Sequence, residues 1–269
     1  MRTRKALGQH FLSHGPLLAR IAAVTDAGGD DVVLEIGPGP GGLTSALLDR
    51  GAVVVAIERD SRMSEELVRR FAGRPFVLIE GDALELDWPA LVKPWTSHGK
   101  RWLVAGNIPY NITSPLLAKA LSAPLPATIT YLVQKEVADR IVAPAGHDDY
   151  GALSINIAAV AEASRRFTVG KGAFAPPPKV DSAVLHLVPR AEPLIRPEQI
   201  DPFRRLVTSI FSYRRKRMLK ALREALGLSA EQAQAALDQA GIDADIRPEV
   251  VPMERFVALL GAVESFSRA

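Results

Sequence analysis

Short runs of β-branched and aliphatic residues recur along the first two-thirds of the chain, and each is followed by a stretch that reads as helix. Val32-Val33-Leu34-Glu35-Ile36 leads through a Gly/Pro turn into a helical stretch over 42–50. Val53-Val54-Val55-Ala56-Ile57 leads into a charged helix over about 61–71. Phe76-Val77-Leu78-Ile79-Glu80 and Leu103-Val104-Ala105 continue the series, with a helix after Ser114 and a further strand from Thr128 to Val133. Strands that are apolar throughout belong to a sheet covered on both faces, and their alternation with helices builds a parallel sheet. Ala183-Val184-Leu185-His186-Leu187-Val188 also has strand composition and reads as a strand added at the edge or end of that sheet.

After Pro189-Arg190-Ala191-Glu192-Pro193 the strand signals stop, and the Pro/Glu-rich residues through Pro202 read as a linker. The remainder of the chain has helical character: 203–212, 214–226, then 229–240 with Ser229 and Gln232 as a capping box and Gly241 as the stop. A last helix starts near Pro252 and runs to about Ser265. The expectation is an α/β domain over residues 1–190 and a smaller all-helical domain over 191–269.

Several classes are excluded by what the 269 residues contain. No stretch approaches the ~20 uninterrupted apolar residues of a membrane span. The N-terminus, Met1-Arg2-Thr3-Arg4-Lys5-Ala6, has neither the apolar core nor the small-residue cleavage site of a secretory signal. Cysteine is absent, which removes disulfides, thiolate metal sites and cysteine-ligated clusters, and makes the reducing cytoplasm the natural location. The net charge is only +3, but its distribution is uneven. From Met1 to Arg20, and again from Phe203 to Arg223, there are cations and no acid. Two such clusters favour a polyanionic partner.

Three loci carry chemistry, and each falls where a strand ends. Gly37-Pro38-Gly39-Pro40-Gly41-Gly42 joins the first strand to its helix. Glycines there admit a ligand close to the backbone, and the spacing of Gly37, Gly39 and Gly42 also satisfies a dinucleotide fingerprint. Pro38 and Pro40 each remove an amide that a pyrophosphate would need. Glu58, about 20 positions after Gly37, can bind the two hydroxyls of a ribose, and Asp82 after the third strand can accept hydrogens from a cofactor's adenine. This set alone is compatible with a dinucleotide or with S-adenosylmethionine (SAM).

The third locus, Asn107-Ile108-Pro109-Tyr110, comes directly after the run Trp102-Leu103-Val104-Ala105-Gly106. An amide oxygen and a backbone carbonyl fixed by Pro109 can accept both hydrogens of an aromatic amine, while Tyr110 offers a π-face to its ring. Such a grip turns the amine lone pair outward, towards an electrophile.

Taken in order, Gly8-Gln9-His10-Phe11-Leu12, Glu35-Ile36-Gly37-Pro38-Gly39, Asn107-Ile108-Pro109-Tyr110-Asn111 and Phe174-Ala175-Pro176-Pro177-Pro178-Lys179-Val180-Asp181-Ser182 resemble the SAM-dependent ribosomal RNA adenine N6-dimethyltransferases. The resemblance is to their small-subunit (KsgA-type) branch and extends to Phe211-Ser212-Tyr213-Arg214-Arg215-Lys216 and Arg247-Pro248-Glu249. It implies a class I SAM-dependent methyltransferase fold, Rossmann-like with a mostly parallel sheet, carrying a C-terminal all-helical domain that binds RNA. It implies that His10 and Leu12 contact the cofactor, where many relatives have Asn at the position of His10. It places Gly37 against the methionine part, Glu58 on the ribose, Asp82 near the adenine, and Asn107 beside the cofactor. Asn107, Pro109 and Tyr110 would form the target-base site, with Phe174 as a second stacking aromatic. Lys179 and a basic helix around Arg214, Arg215, Lys216 and Arg217 would grip phosphates.

The activity implied is dimethylation of two adjacent adenosines near the 3′ end of small-subunit (16S) rRNA, by a monomer that needs no metal. Three rivals stand beside it. One is a large-subunit rRNA methyltransferase of the macrolide-resistance type, against which the Pro-Pro-Pro-Lys run and the Arg-Arg-Lys segment argue. Another is a catalytically idle assembly or transcription factor, against which the intact Asn107, Pro109, Tyr110 and Glu58 argue. The last is a nicotinamide-dependent oxidoreductase, which has no use for the Asn-Ile-Pro-Tyr segment.

Overall fold

The computed structural model describes residues 10–96 and 99–266, the last without its side chain. The segment Gly8-Gln9 and the basic residues before it lie outside the described residues. In chain order the elements are β1 (Phe11–Leu12), α1 (Gly15–Val24), β2 (Val32–Ile36), α2 (Gly42–Asp49), β3 (Val53–Glu58), α3 (Ser61–Arg70), β4 (Phe76–Glu80), α4 (Trp88–Val92), β5 (Trp102–Asn107), α5 (Thr113–Ala120), β6 (Ile129–Gln134), α6 (Lys135–Val142), α7 (Ala152–Ala158), β7 (Ala161–Val169), β8 (Phe174–Ala175), β9 (Ser182–Pro189), α8 (Ile200–Phe211), α9 (Met218–Leu226), α10 (Ala230–Ala240) and α11 (Met253–Phe266).

Seven strands form one sheet in the order β4-β3-β2-β5-β6-β9-β7, and β1 pairs with β8 in a separate two-stranded ribbon. The five strands from β2 to β6 run parallel, and β9 is antiparallel to β6. The chain order reverses between β2 and β5, which is where open α/β sheets leave a crevice at the carboxyl ends of their strands. Val33, Leu103, Ala105, Leu132 and Val184 of the sheet pack with Leu18, Leu47, Met63 and Leu67 of α1–α3 in one buried cluster.

One expectation about the sheet is corrected, and one strand is added. Residues 183–188 do not form its edge: β9 lies between β6 and β7. The edge strand β7 gives no clear strand signal in the sequence because Ser164-Arg165-Arg166 interrupts its apolar character, as charges on an edge strand commonly do.

The chain divides into two compact units, one comprising residues up to 138 with 164–189, the other 139–163 with 190 onward. The expected division at 190 therefore omits residues 139–163, which cluster with the C-terminal helices. Within that second unit the reason is visible. The Tyr150 hydroxyl donates to the Val251 carbonyl (2.9 Å), Gly146 N–H donates to the Glu249 carbonyl (2.9 Å), and the Tyr150 ring lies edge-on to Phe211. Helix α10 starts as expected, with the Ser229 hydroxyl and Gln232 side chain capping each other's backbone, and stops at Gly241 with φ 65°.

The expected helix 214–226 begins only at Met218. Arg214, Arg215, Lys216 and Arg217 lie instead in the turn between α8 and α9. The first amides of α9, at Met218 and Leu219, donate to the carbonyls of Ile246 and Ala244 (2.8 and 3.1 Å), which sets the start of the helix.

Candidate active site

All the cofactor-site residues inferred from sequence converge on one cavity of about 180 Å³ at the carboxyl ends of β2–β5. His10, Leu12, Gly37, Glu58, Asp82, Asn107, Pro109 and Tyr110 line it, together with Glu35 and Arg59.

The glycine turn is built by contacts as well as by its residues. Gly37, Gly39 and Gly41 all have positive φ, which side chains disfavour. At Gly39 a Cβ would also come within 3.0 Å of the Phe11 ring. Gly37 N–H continues the sheet by donating to the Ile57 carbonyl (2.9 Å), and Arg70 of α3 donates to the Pro40 carbonyl (2.6 Å).

Glu58 ties this turn to the end of β3. Its Oε2 accepts from Gly39 N–H (3.1 Å) and its Oε1 from Asp60 N–H (2.9 Å). Each carboxylate oxygen has a second acceptor site, so both remain able to take a hydroxyl of a diol. Burial pushes the Glu58 carboxyl up, opposed by the backbone donors at Asp60, Gly39 and Arg59. Asp82 accepts from Leu84 N–H at Oδ1 (2.9 Å), while its Oδ2 pairs with Arg59 (3.0 Å). Its carboxylate thus carries a cationic partner that no sequence signal assigns to it.

Glu35 is the principal functional-site residue to which the sequence motifs give no role. It is almost fully buried, and its Oε2 accepts from the Thr44 hydroxyl at 2.6 Å. Burial, chiefly, and then the charge of Glu58 raise its carboxyl to about 8, against the Thr44 bond. The signal is present in the sequence: one acid in an otherwise apolar strand whose two faces are covered.

Asn107 ends β5, with its Nδ2 donating to the His10 carbonyl (2.8 Å). That bond assigns the amide's donor side and leaves Oδ1 as the acceptor. The carbonyl of Pro109 accepts from Ile112 N–H (3.2 Å) in the short turn after it, and the Tyr110 hydroxyl bonds Ser182 Oγ (2.7 Å). Burial raises the Tyr110 phenol, opposed by that bond, so the ring is the neutral phenol near neutral pH. Gly106 is set by packing. A Cβ there would meet the Ile36 carbonyl at 2.5 Å, so glycine is required by the approach of β2.

Phe174 is not among the residues that line this cavity. It is 5% exposed, pairs through β8 with Leu12, and packs into the buried cluster with Leu12, Leu18 and Leu43. The ring beside Tyr110 is that of His10. Lys179 lies elsewhere in the first unit, on an open cleft lined also by Lys135, Lys171, Glu136 and Asp181. In the second unit Arg214, Arg215 and Lys216 are exposed, and Arg217 pairs with Asp245 (2.6 Å). Among the described residues no three His, Asp or Glu side chains are grouped to hold a metal ion, and no helix is long and apolar enough to cross a membrane.

A parallel sheet with a glycine turn after its first parallel strand, acids after the next two and an Asn-Ile-Pro-Tyr segment after the fourth defines a nucleoside-binding α/β methyltransferase. Comparison with known proteins makes the class specific. The profile of the ribosomal RNA adenine dimethylase family matches residues 1–262, and the chain belongs to that family. The ribosomal RNA small subunit methyltransferase A of Geobacter metallireducens is 43% identical over 98% of this chain and 96% of its own. That of Phenylobacterium zucineum is 43% identical over 96% and 87%. Among solved structures, a dimethyladenosine transferase from Plasmodium falciparum superposes with a TM-score of 0.79 at 26% identity, over 96% of this chain and 98% of that one. The 23S rRNA methyltransferase ErmE superposes with a TM-score of 0.69 at 29% identity, over 94% and 99%.

Proposed function

We propose that this chain uses SAM to dimethylate N6 of two adjacent adenosines near the 3′ end of 16S rRNA. The observation that carries the reading is the convergence on one cavity of Glu58, Asp82 and the Asn107–Tyr110 segment. The identity to small-subunit methyltransferases, 43% against 29% for the 23S enzyme, favours the small subunit as substrate.

The donor set fits SAM. Glu58 would hold the ribose hydroxyls with its remaining acceptor sites, Asp82 would take the adenine amino hydrogens, and Gly37 would let the methionine part lie against the backbone. Leu12 and His10 close that side. The chemistry the cofactor supplies is an electrophilic methyl group. The residues of the chain orient the nucleophile: Asn107 Oδ1 and the Ile108 carbonyl, on the amide that includes the Pro109 nitrogen, accept the N6 hydrogens, and Tyr110 holds the base. Methyl transfer to N6 would leave a cationic amine in that grip, and its proton would pass to water. No strong base is needed, because the amine is cationic once methylated. Since adenines are stacked in RNA, the target must be splayed out to reach the cavity. Lys179, Arg214, Arg215 and Lys216 supply phosphate contacts, and the protein acts as a cytoplasmic monomer without a metal.

The test is incubation with labelled SAM and immature small subunits, large subunits or naked RNA, and then mapping of the label. Two adjacent labelled adenines in small subunits are expected. Label confined to large subunits would overturn the substrate, and no label in any sample would overturn the enzyme.

A further inference from the structure

The ring that lies on Tyr110 belongs to His10, with centroids 5.9 Å apart and planes 26° from parallel. The imidazole is fixed from behind, since its Nδ1 is 2.8 Å from the Pro176 carbonyl, which can only accept. The same residue's carbonyl accepts from Asn107 Nδ2. One residue therefore engages both halves of the base grip: the side chain lies against the aromatic ring and the backbone orients the amide. The strand pairs Phe11↔Ala175 and Leu12↔Phe174 anchor it in that place.

The spacing decides what the imidazole is doing. Stacked planes lie about 3.5 Å apart, so a base between two rings holds the outer pair about 7 Å apart or more. At 5.9 Å His10 and Tyr110 are in direct contact, and a purine cannot lie on that face while the imidazole remains.

We propose that His10 is a placeholder for the target adenine and thereby a specificity-determining residue. This rests on the assignment of Asn107–Tyr110 as the base site. The imidazole holds the stacking position on Tyr110 until a 6-aminopurine takes it. Replacing the ring costs its contact and its bond to Pro176. An adenine delivered by RNA backbone contacts offsets that loss, and a free nucleoside has only its own stacking to do so. The backbone bond to Asn107 is independent of the side chain, so the amide stays oriented throughout the exchange.

Binding of free adenosine tests this, with S-adenosylhomocysteine at saturation so that the cofactor's own adenine site is filled. His10→Ala removes the ring and keeps the carbonyl, and is expected to bind adenosine about tenfold more tightly than the wild type, the equivalent of one ring contact and one neutral hydrogen bond. His10→Phe restores a ring and should return affinity towards the wild-type value. Adenosine binding by His10→Ala that is unchanged or weaker, at an S-adenosylhomocysteine concentration shown by its own isotherm to saturate the variant, would overturn the proposal. A measurement on the unaltered protein guards against a misfolded variant. The His10 ring-proton NMR signal should lose its Tyr110 ring-current shift when an adenosine-bearing oligonucleotide binds, and an unmoved signal at saturation also overturns it. None of this requires turnover. Methylated subunits with no gain in His10→Ala would sink the placeholder alone, whereas no methylation by the wild type would sink the enzyme reading.

Discussion

The smallest features of the site do unequal work. Asn107 is held by one bond to His10, and its acceptor oxygen is the group whose loss should be felt only as the amine becomes cationic. Asn107→Ala is therefore expected to lower kcat by about a hundredfold or more, with subunit affinity nearly unchanged. Steady-state methylation alongside a direct binding isotherm measures both, and equal losses in the two would count against amine orientation. Gly106 is a packing residue, so Gly106→Ala should cost about 1–3 kcal/mol of stability by pushing on the Ile36 carbonyl, read as a drop in Tm. The two residues differ in how far the sequence reveals them. A strand end that runs into Asn-Ile-Pro-Tyr advertises its chemistry in its own side chains. The demand for glycine at 106 comes from a neighbouring strand 70 residues earlier in the chain, and no local pattern encodes it.

Elements are legible where their signals are local. The capping box of α10 is readable from Ser229 and Gln232 alone, and Ser229→Ala should cost about 1 kcal/mol, measured by thermal or denaturant unfolding. Helix α9 is different, because its sequence pattern runs four residues too far towards the N-terminus. Arg214–Arg217 are helix-compatible, and what ends the helix before them is the pair of carbonyls at 244 and 246. Charge reversal at Arg214 and Arg215 should weaken subunit binding and flatten its salt dependence by about one unit of slope per lost phosphate contact, while SAM affinity holds. Unchanged binding across a salt titration would remove that turn from the interface.

At the scale of the molecule, a buried carboxyl links folding to pH. Glu35 has its protonated form favoured by burial, raised from 4.5 to about 8, so the folded state holds a proton that the unfolded chain releases. Its contribution to stability is fully present below about 4.5 and is lost as pH rises through about 8. Glu35→Gln should flatten the decline in Tm between those limits, and an unaltered profile would mean that the carboxyl is ionised in the fold. The sequence by itself determined the parallel sheet, the strand-end positions of Gly37, Glu58, Asp82 and Asn107, and hence a shared cavity. These come from periodicity and from the rule that parallel strands present their carboxyl ends together. It also announced the family through motifs in order. Only the tertiary structure decided that Phe174 is core, that His10 lies on Tyr110, that Asp82 is paired with Arg59, and that residues 139–163 belong with the helical unit. Each of these depends on which side chain or segment fills a given space, and composition and spacing do not record that.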